Sequence, residues 1–399
     1  MRTSITTGLA TVLLATPGAS LPALAADDFD HCRQRLARQA IAEGLSPQLV
    51  NSTVAALQEQ QQVLELDRRQ PEFVQTFATY MDKRVTPARV ERGREMLAKH
   101  GEFLAGLQTR FGVPARYLVA FWGLETNYGG YLGKSPTLDS LATLACDPRR
   151  SDFFSTEFVN ALRLMERESL QPGQMTGSWA GAVGHTQFMP SNYLRYAIDG
   201  DGDGRIDLWG SERDALASGA SFLRSLGWTP GLRWGRQVQL PADFDYSRAG
   251  PGQGAPLSTW AALGVHRPDG GALPVGEEAS ILLLPSGHGG PAFLVYDNFN
   301  IIMRWNTSQS YALAVGLLAD RLAGAPAGHY GDPAAQPLRI AELQLAQQVL
   351  LEAGYDPGTP DGILGSRTRA ALRAFQLEAQ LPADGYPDRT TLDRLLKEY

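Results

Sequence analysis

The chain has 399 residues, 43% of them apolar and 9% aromatic, which suits a large folded core with one or two attached domains and sets aside disordered and membrane-spanning classes. Its formal charge is -6, and without residues 1–26, which hold one Arg and no acid, it becomes -7. No basic stripe is available to neutralise phosphates, so a nucleic-acid partner is not expected.

Residues 1–26 combine Arg2, an apolar stretch and a small-x-small end at Ala23-Leu24-Ala25, the pattern of a cleavable secretory signal. No cysteine follows the apolar run, so a lipid anchor is not expected and the mature chain should be soluble. Cys32 and Cys146 are the only cysteines. In an oxidising compartment they pair and tie down the N-terminal arm, or they remain two buried thiols; two distant cysteines make a poor metal site.

Residues 30–62 and 87–110 carry helical spacing, so the N-terminal half reads as helical. In "RFGVPARYLVAFWGLETNYG", Pro114 suits a first helical turn, and Leu118, Phe121, Trp122 and Glu125 recur at spacings of three and four. Glu125 therefore shares a face with bulky apolar groups, and Gly129 and Gly130 should stop the helix beyond it. A buried carboxylate holds its proton more tightly, which moves its pKa toward the range of a general acid. The alternative is a hydrogen-bonded core or groove residue.

The stretch "GSWAGAVGHTQFMPSNY", 177–193, mixes glycines with Ser178, His185, Thr186, Gln187 and Asn192. Uncharged polar groups with close backbone approach suit hydroxyls and amides, as sugars carry; the plainer reading is a loop folded around Trp179 and Phe188. In "DGDGDGRIDLWGSERDA", Asp199, Asp201 and Asp203 alternate, Gly204 supplies a sharp turn, and the carbonyl of Arg205 falls at the seventh position of an EF-hand-like loop. So many carboxylates call for a hard cation, expected to be structural Ca2+, or else form a solvated acidic turn. Position twelve is Gly210 instead of Glu, Asp207 offers a direct or water-mediated contact, and Ile206 should anchor the loop inward.

Between 236 and 300, "RQVQLP", "SILLLP" and "AFLVY" read as short strands in a small β insertion. Helical pattern returns at 310–323, and 324–337 reads as a linker. Residues 338–399 form a small unit of three helices marked by Ile340, Leu343, Leu350 and Leu351, by Ala371, Leu372 and Phe375, and by Leu392, Leu395 and Leu396. A unit this small is better suited to binding than to catalysis.

"GLETNYG", "ACDPRRSDFF", "GSWAGAVGHTQFMPSNY", the acidic loop and "MRWNTSQSYALAV" resemble, in order and spacing, the B-type lytic murein transglycosylases over about residues 30–325. The resemblance implies a mainly α, lysozyme-like catalytic domain (27–323) that cleaves the MurNAc-GlcNAc β-1,4 bond of peptidoglycan without water, leaving 1,6-anhydroMurNAc ends. No organic cofactor is implied. Glu125 matches the catalytic acid/base; Ser178, Gln187, Asn306 and Tyr311 match residues lining the sugar groove; Arg149 and Arg150 match a basic pair near it. Asp214, with Glu212 as alternative, matches the displaced last cation ligand. Trp305 and Phe222 stand where the family commonly has Tyr, keeping a stacking surface and losing a hydroxyl.

"GYDPGTPDGILGSRTRAALRAFQ" resembles the three-helix peptidoglycan-binding domain, which implies Gly362 and Gly365 as turn residues and Phe375 as core; Asp361, Thr368 and Arg369 are candidates for a peptide-binding rim. The expected partners are glycan strands and stem peptides, with other cell-wall enzymes as candidates; a monomer in the bacterial periplasm is expected. Two other functions stay open at this point. One is a water-using muramidase, for which Asp152 is the nearest downstream second acid, and the other is a noncatalytic wall-binding scaffold.

Overall fold

The computed structural model describes residues 29–68, 75–276, 278–332 and 337–398. The signal expected at 1–26 lies outside the described residues. Among them no helix is long and apolar enough to cross a membrane.

The chain is mainly helical, and the helix Ala115–Thr126 runs through its centre. Its buried residues run from Tyr117 to Leu124 and include Thr126, so it is covered almost all round. Gly123 is part of the reason: a Cβ there would stand 2.6 Å from the hydroxyl of Tyr128, which donates to the carbonyl of Arg89 at 2.8 Å. Pro114 occupies the N-cap position, one residue before the first turn. The helix ends at Thr126, ahead of the glycines, because Asn127 and then Tyr128 already take the left-handed conformation.

Two apolar cores flank this centre. One gathers Tyr117, Phe121, Trp122, Trp234, Phe299 and Leu318. The other gathers Leu36, Leu141, Phe154, Phe158, Phe188 and Phe222, and the helix Phe29–Ala42 is fastened to it by a Cys32–Cys146 disulfide. Of the two readings of the cysteines, pairing is the one found.

The β insertion is a four-stranded antiparallel sheet in the spatial order Gly235–Val238, Ala292–Val295, Ala279–Leu283, Ala255–Pro256. Side-chain alternation gives it two apolar faces. Val238, Leu282 and Leu294 build a separate small core, whereas Leu283, Phe293 and Val295 join the main core. Phe293 meets Phe77 edge-on at 5.9 Å between ring centres. The stretch expected as a linker is partly docked too: Tyr330 is buried in the main core and packs on Phe77.

The C-terminal helices Ile340–Glu352, Ser366–Glu378 and Arg389–Glu398 close around Leu350, Leu372, Phe375, Leu392 and Leu395. Ile340, Leu351 and Leu396, expected to mark the core faces, are exposed at helix edges. Two halves of this unit are wired alike. Gln347 Nε2 donates to Asp361, Ile363 O and Thr368 while its oxygen accepts from Gly362 N–H. Gln376 makes the same set with Asp384, Tyr386 O, Thr391 and Gly385 N–H. The second half rests on the β insertion, where His288 brings both its backbone N–H and its ring Nδ1 to Asp384 Oδ2 at 2.7 Å.

Candidate active site

Glu125 lies in the last turn of the central helix, partly exposed among buried neighbours. Two groups 180 and 186 residues further along the chain reach its carboxyl. Trp305 closes the helix Asp297–Trp305, and its indole N–H donates to Glu125 Oε1 at 2.9 Å. Tyr311 sits in the first turn of the helix Gln309–Leu322, and its hydroxyl donates to the same oxygen. Asn306 shapes the corner between the two helices: it caps the first, and its Oδ1 accepts from Ser308 N–H at 3.0 Å. No described protein group reaches Oε2.

Burial pushes the Glu125 carboxyl up to about 7, against the pull of the Tyr311 and Trp305 hydrogen bonds and the Arg84 guanidinium. Desolvation outweighs these anion-stabilising contacts, so at neutral pH the group is divided between acid and base forms. Burial and the adjacent Glu125 push the Tyr311 phenol well above its ordinary value, which keeps it a proton-bearing donor.

The Gly-rich stretch packs against this turn as a compact loop. Ser178 and Ala182 exchange two hydrogen bonds: Ser178 N–H donates to Ala182 O, and Ala182 N–H donates to Ser178 Oγ at 3.1 Å. Gly177 is required, since a Cβ would stand 2.1 Å from Ala182 O. Gln187 takes a left-handed conformation and donates to Leu132 O and Gly184 O, which leaves it half-buried at the loop's tip. His185 seats the loop on the Glu125 helix: its Nδ1 accepts from Trp122 Nε1 at 3.0 Å, and its carbonyl accepts from Thr126 Oγ1. Burial pushes its imidazole down, in keeping with a neutral acceptor ring.

Other expected residues are held elsewhere. Arg149 and Arg150 both close onto Asp67, a buried carboxylate on the helix Gln61–Arg68, whose one negative charge balances only one of the two guanidinium groups. Asp152 is exposed in the first turn of Ser151–Glu168 and is not among the groups that act on Glu125. In the C-terminal unit Asp361 is exposed, Thr368 is buried and bonded to Gln347, and Arg369 lies over the Tyr386 ring.

In the acidic loop, Asp199, Asp201 and Asp203 bring carboxylate oxygens within 4.8 Å of one another. Asp214, expected as the last ligand, is turned inward: its two oxygens accept from the N–H groups of Gly200 and Asp207 at 2.8 and 2.7 Å. Glu212 pairs with Lys99 and His100. Ile206 packs inward as expected.

Sequence reasoning missed the N–H of Trp305 as a partner of Glu125, and it missed Arg84. The signal for Trp305 was present in the departure from Tyr, read then only as stacking surface; Arg84 had none, because 41 residues separate it from Glu125.

Residues 28–320 match the Transglycosylase SLT domain, and residues 339–395 match the Putative peptidoglycan binding domain. The chain is 35% identical over 252 residues to membrane-bound lytic murein transglycosylase B of Escherichia coli K12, covering 61% of this chain and 66% of that protein, about two thirds of its length. SltB3 from Pseudomonas aeruginosa, solved in complex with NAG-anhNAM-pentapeptide, superposes with a TM-score of 0.86 at 43% identity over 92% of this chain and 99% of that one. Escherichia coli Slt35, solved in complex with calcium, superposes at 0.64 with 31% identity over 73% of this chain and 92% of that one. The match to the SLT domain spans well over half of the chain, and the protein belongs to the B-type lytic murein transglycosylases, with a peptidoglycan-binding domain at its C-terminal end.

Proposed function

We propose that this lytic transglycosylase cuts the MurNAc-GlcNAc bond of peptidoglycan with Glu125 as its single acid and base. The observation that carries the reading is a carboxyl poised near 7 with two donors on one oxygen and no hydrogen bond from the described residues on the other. Glu125 gives its proton to the glycosidic oxygen as the C1–O bond breaks, and the 2-acetamido oxygen of MurNAc closes onto C1. The carboxylate then takes the proton from the O6 hydroxyl. O6 bonds to C1, the acetamido oxygen leaves, and the 1,6-anhydro ring forms with Glu125 reprotonated. No water enters, so the second carboxylate that hydrolytic glycosidases need has no task. Buried donors fixed before reaction stabilise developing charge more than mobile water would.

Ser178 and Gln187, on the loop seated beside Glu125, and Asn306, at the corner before Tyr311, are the sugar-contacting groups in this reading. The oxygen-only set of Asp199, Asp201, Asp203 and the Arg205 carbonyl fits a hard cation such as calcium, with which the Escherichia coli relative was solved. Such an ion would neutralise the loop and take no part in the chemistry, while Asp214 holds the loop's backbone. Residues 27–323 form the catalytic region, with the β insertion at about 236–300, and 338–399 hold the enzyme to the wall, where its relative SltB3 was solved with a peptide-bearing glycan. Loss of this second module should slow digestion of whole sacculi more than of short fragments. Residues 1–26 address the enzyme to the periplasm.

The test is to digest purified peptidoglycan with the enzyme and with Glu125→Gln and weigh the fragments. Anhydro ends, one water lighter than reducing ends, should come from the wild type alone. Reducing ends would establish a muramidase, and equal anhydro yield from both proteins would remove Glu125 from the mechanism.

A further inference from the structure

We infer that Trp305 is a positioning residue that decides which oxygen of Glu125 carries the mobile proton. The inference rests on Glu125 being the acid and base. A carboxyl oxygen has two lone pairs, and Oε1 already accepts from two donors, the indole N–H and the Tyr311 hydroxyl. The two donors are not equivalent. A phenol can turn its O–H away and accept a proton from the carboxyl, whereas an indole N–H can only donate. Tyr311 alone would therefore leave the proton free to settle on either oxygen. With Trp305 present, Oε1 stays an acceptor in both protonation states, and the proton is confined to Oε2, which accepts no hydrogen bond from the described residues.

The indole is held to this task from three sides. Its ring packs on Phe121, from the Glu125 helix, at 4.4 Å between centres, on Phe222 at 5.2 Å and on Phe188 at 5.4 Å. Phe121 and Glu125 are one helical turn apart, so the surface that orients the indole and the carboxyl it serves move as one body. Phe222 and Phe188 also touch each other at 5.2 Å. The two departures from the family pattern, Trp305 and Phe222, are thus neighbours in one cage. An apolar ring at 222 offers the indole N–H no competing acceptor, which leaves Glu125 as its partner.

The experiment is a pH profile of kcat and KM on soluble glycan fragments for Trp305→Phe, Trp305→Tyr and the enzyme with Trp305 replaced by 3-benzothienylalanine. That last ring keeps the shape of tryptophan and lacks the N–H, so it guards against a phenylalanine variant that folds poorly. Loss of a donor destabilises the carboxylate, so the alkaline limb should move up by about one pH unit, with kcat down about tenfold and KM within about twofold. Trp305→Tyr, which restores a donor that can also accept, should bring the limb back and recover only part of kcat. An unmoved limb in the benzothienyl enzyme, or a loss confined to KM, would overturn the inference in favour of simple sugar stacking. Glu125→Gln is run beside them: anhydro product from that variant would sink the reading of Glu125 itself, a separate failure.

Discussion

Glu125 and Glu157 are two acids folded into apolar surroundings, and they differ in what their oxygens do. Glu157 Oε2 accepts from Ser191 N–H at 2.9 Å and its Oε1 accepts from Ser191 Oγ at 2.6 Å, so the carboxyl serves as a cap on the first turn of Pro190–Tyr196. The other deeply buried acids among the described residues follow the same rule. Asp67 spends one oxygen on each of two arginines, Asp214 divides its pair among loop amides, and Asp384 divides its own between Gln376 and His288. Glu125 breaks the rule by taking both donors on Oε1. Burial pushes Glu157 upward as well, so a raised pKa does not separate a working acid from a structural one; a free oxygen does.

The strongest way to break this comparison is to neutralise each acid in turn. Glu125→Gln should lose about a thousandfold or more in activity and remain folded, because it removes the transferable proton. Glu157→Gln should stay within about threefold of wild-type activity and lose about 1–3 kcal/mol of stability, because the amide puts an NH2 opposite a Ser191 donor. Kinetics and denaturant melts on both variants check this. An inactive but fully stable Glu157→Gln would show that two satisfied oxygens do not mark a structural role.

The second test bears on the core that contains Glu157 and leaves the Glu125 core alone. The Cys32–Cys146 bridge closes a loop spanning 114 positions and fixes the N-terminal helix to that core. Replacing both cysteines with serine should cost about 4–5 kcal/mol, since the unfolded chain regains the freedom the bridge removed. Urea melts should report the loss, and activity per folded molecule should stay level at low temperature.

How much of this was legible beforehand follows from range. The Glu125 helix, the Gly-rich loop, the strands and the three C-terminal helices were readable because their signals are local: spacing, turn residues and short motifs. What local signals do not carry is the choice of partner across long separations. Asp67, which Arg149 and Arg150 meet, lies 82 residues before Arg149, and the backbone partners of Asp214 come together only once the loop closes. Gln347, which donates to the Thr368 hydroxyl, lies 21 residues before it. The convergence of Trp305 on Glu125 spans 180 residues and is a property of packing.

A third test uses pH to sharpen the contrast. Glu125 has its folded pKa raised from 4.5 to about 7, so the folded state binds more protons than the unfolded one between those values. Stability therefore falls as pH rises through that window, the reverse of an acid held by a salt bridge. Glu125→Gln escapes the penalty, and its advantage should grow from nothing near pH 4 to about 2 kcal/mol by pH 8, less than the full shift implies because the carboxyl is partly exposed. Activity should fall about tenfold per pH unit above 7 as the acid form is depleted. Paired melts at several pH values check the first expectation and initial rates the second.

The smallest effect concerns the acids of the loop at Asp199, Asp201 and Asp203. Asp199 accepts from the Gly202 and Gly204 N–H groups, which hold its carboxyl below the usual range, and Asp201 accepts from the Ser211 hydroxyl. Those contacts order the loop without neutralising it. Calcium at about ten times its dissociation constant should add about 1.4 kcal/mol, or a few degrees in melting temperature. Asp203→Asn should remove most of that increment, and Asp214→Asn should lower stability with and without calcium because its partners are backbone amides. Calorimetry with and without a chelator separates the two. A calcium increment that vanishes in Asp214→Asn and survives in Asp203→Asn would make Asp214 the ligand after all, and a buried acid with both oxygens satisfied would then have a working role.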